Sequence, residues 1–379
     1  MIRVGHVAPA TLPMTTTTGG ALQRRVVAMA RERGAAGAPD DVVVYSLPDP
    51  RPAHGAATDG GPGFRLVAVP CVLPRPWRDL EFLLRVQLRL RRDGVDVVHS
   101  HAVPLAGLLL GVRTVLTVDY SRFRGWGRRP VRALYRVALR RFSRIAAVSQ
   151  FCLGEFEELW GDDLRTCVIG NGVDVQAYRP DAARGAQLRQ RLGVEEDEVV
   201  VLYVGRRSEQ KGTDLLLDAA ARVPEGSRVR LVLAGPDGDF DTALAASQTA
   251  ISRWTPGQAA DGVVSLGAVE DDLLPTVFNA ADVAVLPTRR FEMFGMAIVE
   301  AQASGLPAVA SDSQGLLETV DPQSGWWFRT GDPEDLAAVL GQAAGLGRGV
   351  LRERGLAARS FALQFSWPAV VSAYEALYG

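Results

Sequence analysis

The feature that most constrains this chain is a repeated alternation of short β-branched apolar runs with longer stretches of helical periodicity. Seven runs stand in the first half, "IRVGHVA", "DVVVYSL", "FRLVAVP", "DVVHS", "RTVLTVD", "RIAAVS" and "TCVIG"; six follow, "EVVVLYVG", "VRLVLAG", "GVVSLGAV", "ADVAVLP", "LPAVAS" and "GWWFR". Continuous apolar runs suit strands buried on both faces, and the stretches between them, such as 20–33, 77–92, 129–142 and 150–160, suit helical crossovers. Two sets predict an α/β chain with two doubly wound domains facing across a cleft, with ligands at the carboxyl ends of the strands. A length of 379 residues agrees, since single cores stop growing before that size. Pro and Gly in "DVQAYRPDAARG" break the pattern and place the boundary, giving domains 1–178 and 179–362. The tail, 363–379, carries an amphipathic helix with Trp367, Val370, Val371, Tyr374 and Leu377 on one side, after Ser366 as N-cap.

Composition narrows the function classes. A formal net charge of −1 argues against a nucleic-acid binder held by overall charge. Cys71, Cys152 and Cys167 are too few and too scattered for a disulfide framework or a zinc cluster, which fits a reducing cytoplasm. No signal-peptide pattern opens the chain, and no apolar run has the length of a membrane span, so a cytoplasmic protein is expected.

Among 42 Lys plus Arg residues, Lys211 is the one lysine. A chain that writes arginine wherever a positive charge suffices has kept a compact, flexible point charge there. Lys211 and Arg206 lie between the run "VVVLYVG", ended by Gly205, and the helical "KGTDLLLDAAARV". A phosphate at such a loop meets backbone N–H groups, the positive helix end and two cations. The stretch "FEMFGMAIVEAQASGLPAVAS" places Glu292 in a loop, a helix start near Phe294 and Gly295, and Glu300 within the helix. There a loop carboxylate suits sugar hydroxyls and the later one a ribose diol, with N–H groups at 294–297 facing a diphosphate between them.

"GRRSEQKGTDLLLDA", "LVLAGPDGD", "GVVSLGAVEDDLLPTVFNAADVAVLP" and "FEMFGMAIVEAQASGLPAVAS" together resemble, in order and spacing, the donor domain of glycosyltransferase family 4, retaining enzymes of the GT-B fold. "LPMTTTTGGALQRRV", "SRIAAVSQFCLGEF" and "VIGNGVDVQAY" extend the resemblance over nearly the whole chain. It implies transfer of a sugar from a nucleotide diphosphate sugar, UDP favoured and GDP next, to a hydroxyl of a small acceptor, without metal or other cofactor. It also implies that the final helix packs back on the first domain. By resemblance Gly20, Gly205, Arg206, Lys211, Glu292, Met293, Phe294, Gly295, Met296 and Glu300 form the donor site, with Arg206 and Lys211 stabilising the leaving nucleotide.

The first half departs from the family where a histidine usually follows the strand "RTVLTV": the chain reads "DYS", with Asp119 and Tyr120. An anionic side chain there suits an amine-bearing acceptor such as an aminocyclitol or amino sugar, of specialised metabolism or else of envelope glycans. Asp119 is also the candidate base should the reaction invert. His101, at the end of "DVVHS", is a candidate acceptor contact. A metal pair with His99 lacks a carboxylate partner, and Asp237-Gly238-Asp239, though a DxD pattern, reads as a loop.

Arginine stripes mark two helical segments, Arg85, Arg89 and Arg92 on one and Arg132, Arg136 and Arg140 on the other, where Val131, Leu134, Tyr135, Ala138 and Phe142 form the inward stripe. In an arginine-rich chain these read first as solvated faces, and second as contacts for anionic lipid. An epimerase on the same fold and a catalytically silent sugar-nucleotide binder are the remaining rivals. A dinucleotide dehydrogenase is disfavoured because the first strand-to-helix loop lacks G-x-G-x-x-G.

Overall fold

The computed structural model describes residues 2–9, 21–36, 41–48, 63–74, 77–119, 132–224, 226–236, 263–290 and 292–379. All thirteen apolar runs are strands: β1 Val4–Val7, β2 Val42–Ser46, β3 Arg65–Ala68, β4 Val97–His101, β5 Arg113–Val118, β6 Arg144–Ala147, β7 Thr166–Val168, β8 Val199–Val204, β9 Val229–Ala234, β10 Val263–Gly267, β11 Val283–Leu286, β12 Ala308–Ser311 and β13 Trp326–Phe328. The described helices are α1 Ala21–Ala36, α2 Trp77–Asp93, α3 Arg132–Arg140, α4 Gln150–Trp160, α5 Ala182–Arg191, α6 Thr213–Ala220, α7 Leu274–Asn279, α8 Met296–Ala303, α9 Gln314–Leu317, α10 Pro333–Gly345, α11 Gly347–Ala362 and α12 Trp367–Tyr378.

The chain divides into two compact units, 1–172 with 367–379, and 173–366. In the first, seven parallel strands run in the order β3-β2-β1-β4-β5-β6-β7; in the second, six run β10-β9-β8-β11-β12-β13. Each order reverses direction once, between β1 and β4 and between β8 and β11, which is where a doubly wound sheet opens a crevice at its carboxyl edge.

The first unit's core sets Val4, Val97, Val115 and Ala146 against Met29 of α1 and Val370, Tyr374 and Tyr378 of α12. Three polar ties hold α12 in place. Arg33 pairs with Glu375, the Tyr374 hydroxyl lies 2.8 Å from Thr117 Oγ1, and Arg113 donates to the Tyr378 carbonyl at 2.9 Å. The second unit's core joins Val199–Tyr203 and Val283–Leu286 to Leu215, Leu216, Phe278 and Ile298.

One expectation is corrected on α3. Ala138, Leu139 and Phe142 are buried, but Leu134 of the expected inward stripe is 47% exposed. Its apolar residues cover too wide an arc for all of them to face one neighbour.

Candidate active site

In the second unit the chain leaves β8 at Gly205 and β11 at Pro287, at the sheet's reversal point. Both following helices start on a left-handed glycine. Gly212 (φ 71°) caps α6, and a Cβ there would fall 1.8 Å from the Pro287 carbonyl oxygen. Gly295 (φ 76°) caps α8, where a Cβ would meet Leu316 at 2.4 Å. Neither cap offers a side-chain hydrogen bond; the Thr213 N–H that opens α6 reaches back to the Ser208 carbonyl at 3.5 Å, whereas the N–H groups opening α8 have no side-chain cap and suit an anion.

Between these starts Lys211 Nζ donates to Glu292 Oε2 at 2.5 Å. The side chains are 25% and 17% exposed, reachable but partly screened from water. An ammonium carries three N–H donors, so Lys211 keeps two for a ligand. Backbone and side-chain bonds stitch the two loops together: Arg289 N–H and Thr288 Oγ1 both donate to the Gln210 carbonyl, and Arg289 pairs with Asp214 at 2.6 Å.

Arg206 is exposed on this loop, and its carbonyl accepts from the Tyr203 hydroxyl at 2.6 Å. Burial pushes that phenol up to about 12, so Tyr203 stays a neutral donor. Arg207, which no sequence signal separated from Arg206, is buried and donates to Ser265 Oγ at 2.7 Å. Met293 and Phe294 are buried, Met296 is half-buried at the start of α8, and Glu300 is half-buried one turn further on. The Glu292 N–H donates to Ser313 Oγ at 3.3 Å, which orients the carboxylate-bearing turn. The arrangement suits an anion with attached hydroxyls.

The first unit's reversal point is built differently. His6 of β1 sits opposite His99 of β4 in the sheet register, and His101 follows two residues on. All three rings are buried. His6 Nδ1 and His101 Nε2 lie 3.0 Å apart, sharing one hydrogen. His99 is held between Thr117 Oγ1 and the Tyr378 hydroxyl, each at 2.7 Å. Burial drives His6 down to about 3, with a smaller push from Arg33, and drives His99 and His101 well below their ordinary value. The rings are therefore neutral. Their ligand atoms lie within 4.8 Å of one another, but both His99 nitrogens are spent on hydroxyls, so a metal would have to break those bonds first. His101, expected as an acceptor contact, is fully buried and stacks on His6 and His99 instead of ending the strand in solvent.

Asp119 follows β5, and Arg25 of α1 lies 3.8 Å from it. Arg25 is 7% exposed and donates to Asn171 Oδ1 at 3.0 Å. This guanidinium compensates the charge on which the argument for an amine-bearing acceptor rests. Nothing in the sequence singled it out among the arginines. Asp119 Oδ1, Arg25 Nε and Arg25 Nη2 are buried without a hydrogen-bond partner among the described residues, the last of them being the atom that faces Asp119. Gly20, Tyr120, Val131 of the expected inward stripe, and Asp237-Gly238-Asp239 lie outside the described residues.

Residues 19–177 match the model described as Glycosyltransferase Family 4, and residues 186–344 the model described as Glycosyl transferases group 1. A D-inositol 3-phosphate glycosyltransferase of Geodermatophilus obscurus is 39% identical over 227 residues, 57% of this chain and 48% of the relative. One of Mycobacteroides abscessus is 34% identical over 221 residues, 58% of this chain and 47% of the relative. The chain thus spans about half the length of the curated relatives it matches. Among solved structures, Anabaena Alr3699/HepE in complex with UDP superposes with a TM-score of 0.77 at 20% identity, covering 99% of both chains. Sucrose-phosphate synthase of Thermosynechococcus elongatus gives 0.79 at 20% identity, covering 100% of this chain and 98% of that one. At that identity the likeness is one of fold.

Proposed function

We propose, from the premise that this chain belongs to the group 1 and family 4 glycosyltransferases and has their two-domain GT-B fold, that it transfers a sugar from a nucleotide diphosphate sugar to a hydroxyl of a small acceptor. The observation that carries the reading is the Lys211–Glu292 pair, set between two helix starts without side-chain caps at the reversal point of the second sheet. Departure of a nucleoside diphosphate asks chiefly for neutralisation of the charge that builds on its phosphate oxygens. Lys211, Arg206 and the N–H groups opening α8 supply it, Glu292 accepts from sugar hydroxyls, and Glu300 from the ribose. In this scheme the configuration is retained by front-face departure and attack, with the acceptor proton passing to the leaving phosphate.

UDP is the favoured carrier, since the fold neighbour from Anabaena was solved with UDP. The acceptor class follows the matched relatives, whose names specify an inositol phosphate. A ring polyol is the first reading. An amine-bearing cyclitol of specialised metabolism is the second; Asp119 Oδ1 has no hydrogen-bond partner among the described residues, but Arg25 at 3.8 Å weakens the attraction for an amine. Calorimetric titration of UDP, GDP, ADP and dTDP into the wild type and Lys211→Ala tests the donor site. One nucleotide is expected to bind and to weaken at least about tenfold in the variant, the effect of one lost charged hydrogen bond. Equal binding to both proteins removes Lys211 from the site.

A further inference from the structure

The apolar surface of the first unit is distributed in a way the core does not explain. Helix α2 is apolar on two opposite sides. Phe82, Leu83, Val86 and Leu90 are buried, while Trp77, Leu80, Leu84 and Leu88 are 61%, 43%, 58% and 80% exposed. The outer four recur at intervals of three, four and four residues, one continuous stripe roughly 16 Å long.

Neighbouring apolar residues are held beside it. Gln87 of α2 bonds both backbone groups of Leu110, donating to its carbonyl at 3.1 Å and accepting from its N–H at 2.6 Å, which fixes a leucine 63% exposed. Glu81 accepts from the N–H groups of Val72 and Leu73 at 2.9 and 2.8 Å, and these side chains also face solvent. On α3, Leu134 and Val137 are exposed as well. Among the described residues, every exposed large apolar side chain of this unit lies between 72 and 137, whereas those of the second unit are scattered from Leu273 to Leu363. A concentrated apolar surface marks an interaction site.

Charge identifies the occupant. Arg85, Arg91 and Arg92 of α2 are exposed. Of the acids of the same helix, Asp93 is buried and accepts from Tyr45 and Arg65, Glu81 is spent on two backbone N–H groups and on Arg85, and Asp79 is half-buried with its Oδ1 shielded from water. Arg132 and Arg140 stand exposed on α3, the first donating to the Leu159 carbonyl at 2.7 Å and the second paired with Asp163 at 2.6 Å. A Trp and Leu stripe bordered by guanidinium groups matches an interfacial helix on anionic lipid, with leucines entering the acyl boundary and arginines meeting headgroup phosphates. A second copy suits it poorly, because an isologous contact sets arginine against arginine.

We propose that the outer face of α2, continued by Leu110 and α3, docks this protein on the surface of an anionic bilayer. The docking is peripheral, since no helix among the described residues is long and apolar enough to cross a membrane.

The test is co-sedimentation of the full chain with phosphatidylcholine vesicles with and without a quarter phosphatidylglycerol, at low and high salt. The wild type is expected to bind the anionic vesicles, to leave the neutral ones in solution, and to dissociate as salt rises. Leu84→Ser/Leu88→Ser is expected to lose at least about tenfold in partitioning while keeping the wild-type melting transition of the first unit, which reports an intact fold. Arg91→Gln/Arg92→Gln is expected to lose a similar factor, only at low salt. Absence of wild-type binding to anionic vesicles overturns the proposal, as does binding unchanged by either variant. A dimer in solution that the leucine variant dissociates, without any vesicle binding, assigns the face to a second copy instead.

Discussion

Both sheets reverse their strand order once, between β1 and β4 in the first unit and between β8 and β11 in the second, and the two reversal points are filled with opposite chemistry. The second holds a charged pair, Lys211 and Glu292, partly open between two glycine-capped helix starts. The first is packed with three neutral imidazoles and closed over by two tyrosines of the last helix. Doubly wound topology supplies a crevice in each unit but does not say which one receives the highly charged ligand. Solvation decides that. A cation left one-quarter exposed can exchange its partner for a phosphate, whereas a sealed hydrogen-bonded core is closed to an anion.

Acid exposes the contrast most strongly. His6, His99 and His101 are neutral in the folded first unit, with His6 at about 3, but titrate near 6.5 when unfolded. Their folded values are depressed, so the unfolded state binds more protons as pH falls. The stability they contribute is whole above pH 6.5 and is lost progressively towards pH 3. For His6 this costs about 1.4 kcal/mol per pH unit in that window, on the order of 2 kcal/mol by pH 5, and His99 and His101 act in the same direction. The second unit has no histidine. Scanning calorimetry is expected to show the first unit's transition moving down by many degrees between pH 7 and 5 while the second unit's moves little; transitions that fall in parallel break the comparison.

Substitution at the open site ranks next. Lys211→Arg keeps the charge but replaces a point cation by a planar fork. Transfer from the nucleotide sugar is expected to fall on the order of 100-fold in kcat/KM, roughly 3 kcal/mol of lost leaving-group stabilisation. Initial rates with the preferred donor measure it, and a variant within threefold of the wild type removes the need for lysine. The smallest effect is expected from Tyr378→Phe, which leaves His99 Nδ1 without its buried partner. A loss of about 1–2 kcal/mol, seen as a lower Tm of the first unit alone, sharpens the assignment of that network to stability. A matching loss of nucleotide affinity contradicts it.

Much of this was legible before any coordinates. Each apolar run is short, long enough for one strand, and each became one. Lys211 stood out by composition alone. Its partner did not, because Glu292 lies 81 residues away and the contact exists only once β8 and β11 are neighbours. His6 gave no sign of joining His99, since strand register is not written in either strand separately. Arg25 looked like any arginine of a helix, and its contact with Asp119 depends on where α1 lies over the sheet. On α2 the pattern was ambiguous because apolar residues occupy both sides, so either could have faced the core.

Local properties of the chain thus settled the strands, the helices between them and the loops that leave each strand, because period and breaker residues act over a few positions. Tertiary structure alone decided which loops became neighbours, which charge met which counter-charge, and which side of α2 stayed outside. Those outcomes depend on contacts between residues far apart in sequence, and on burial that changes the cost of each charge.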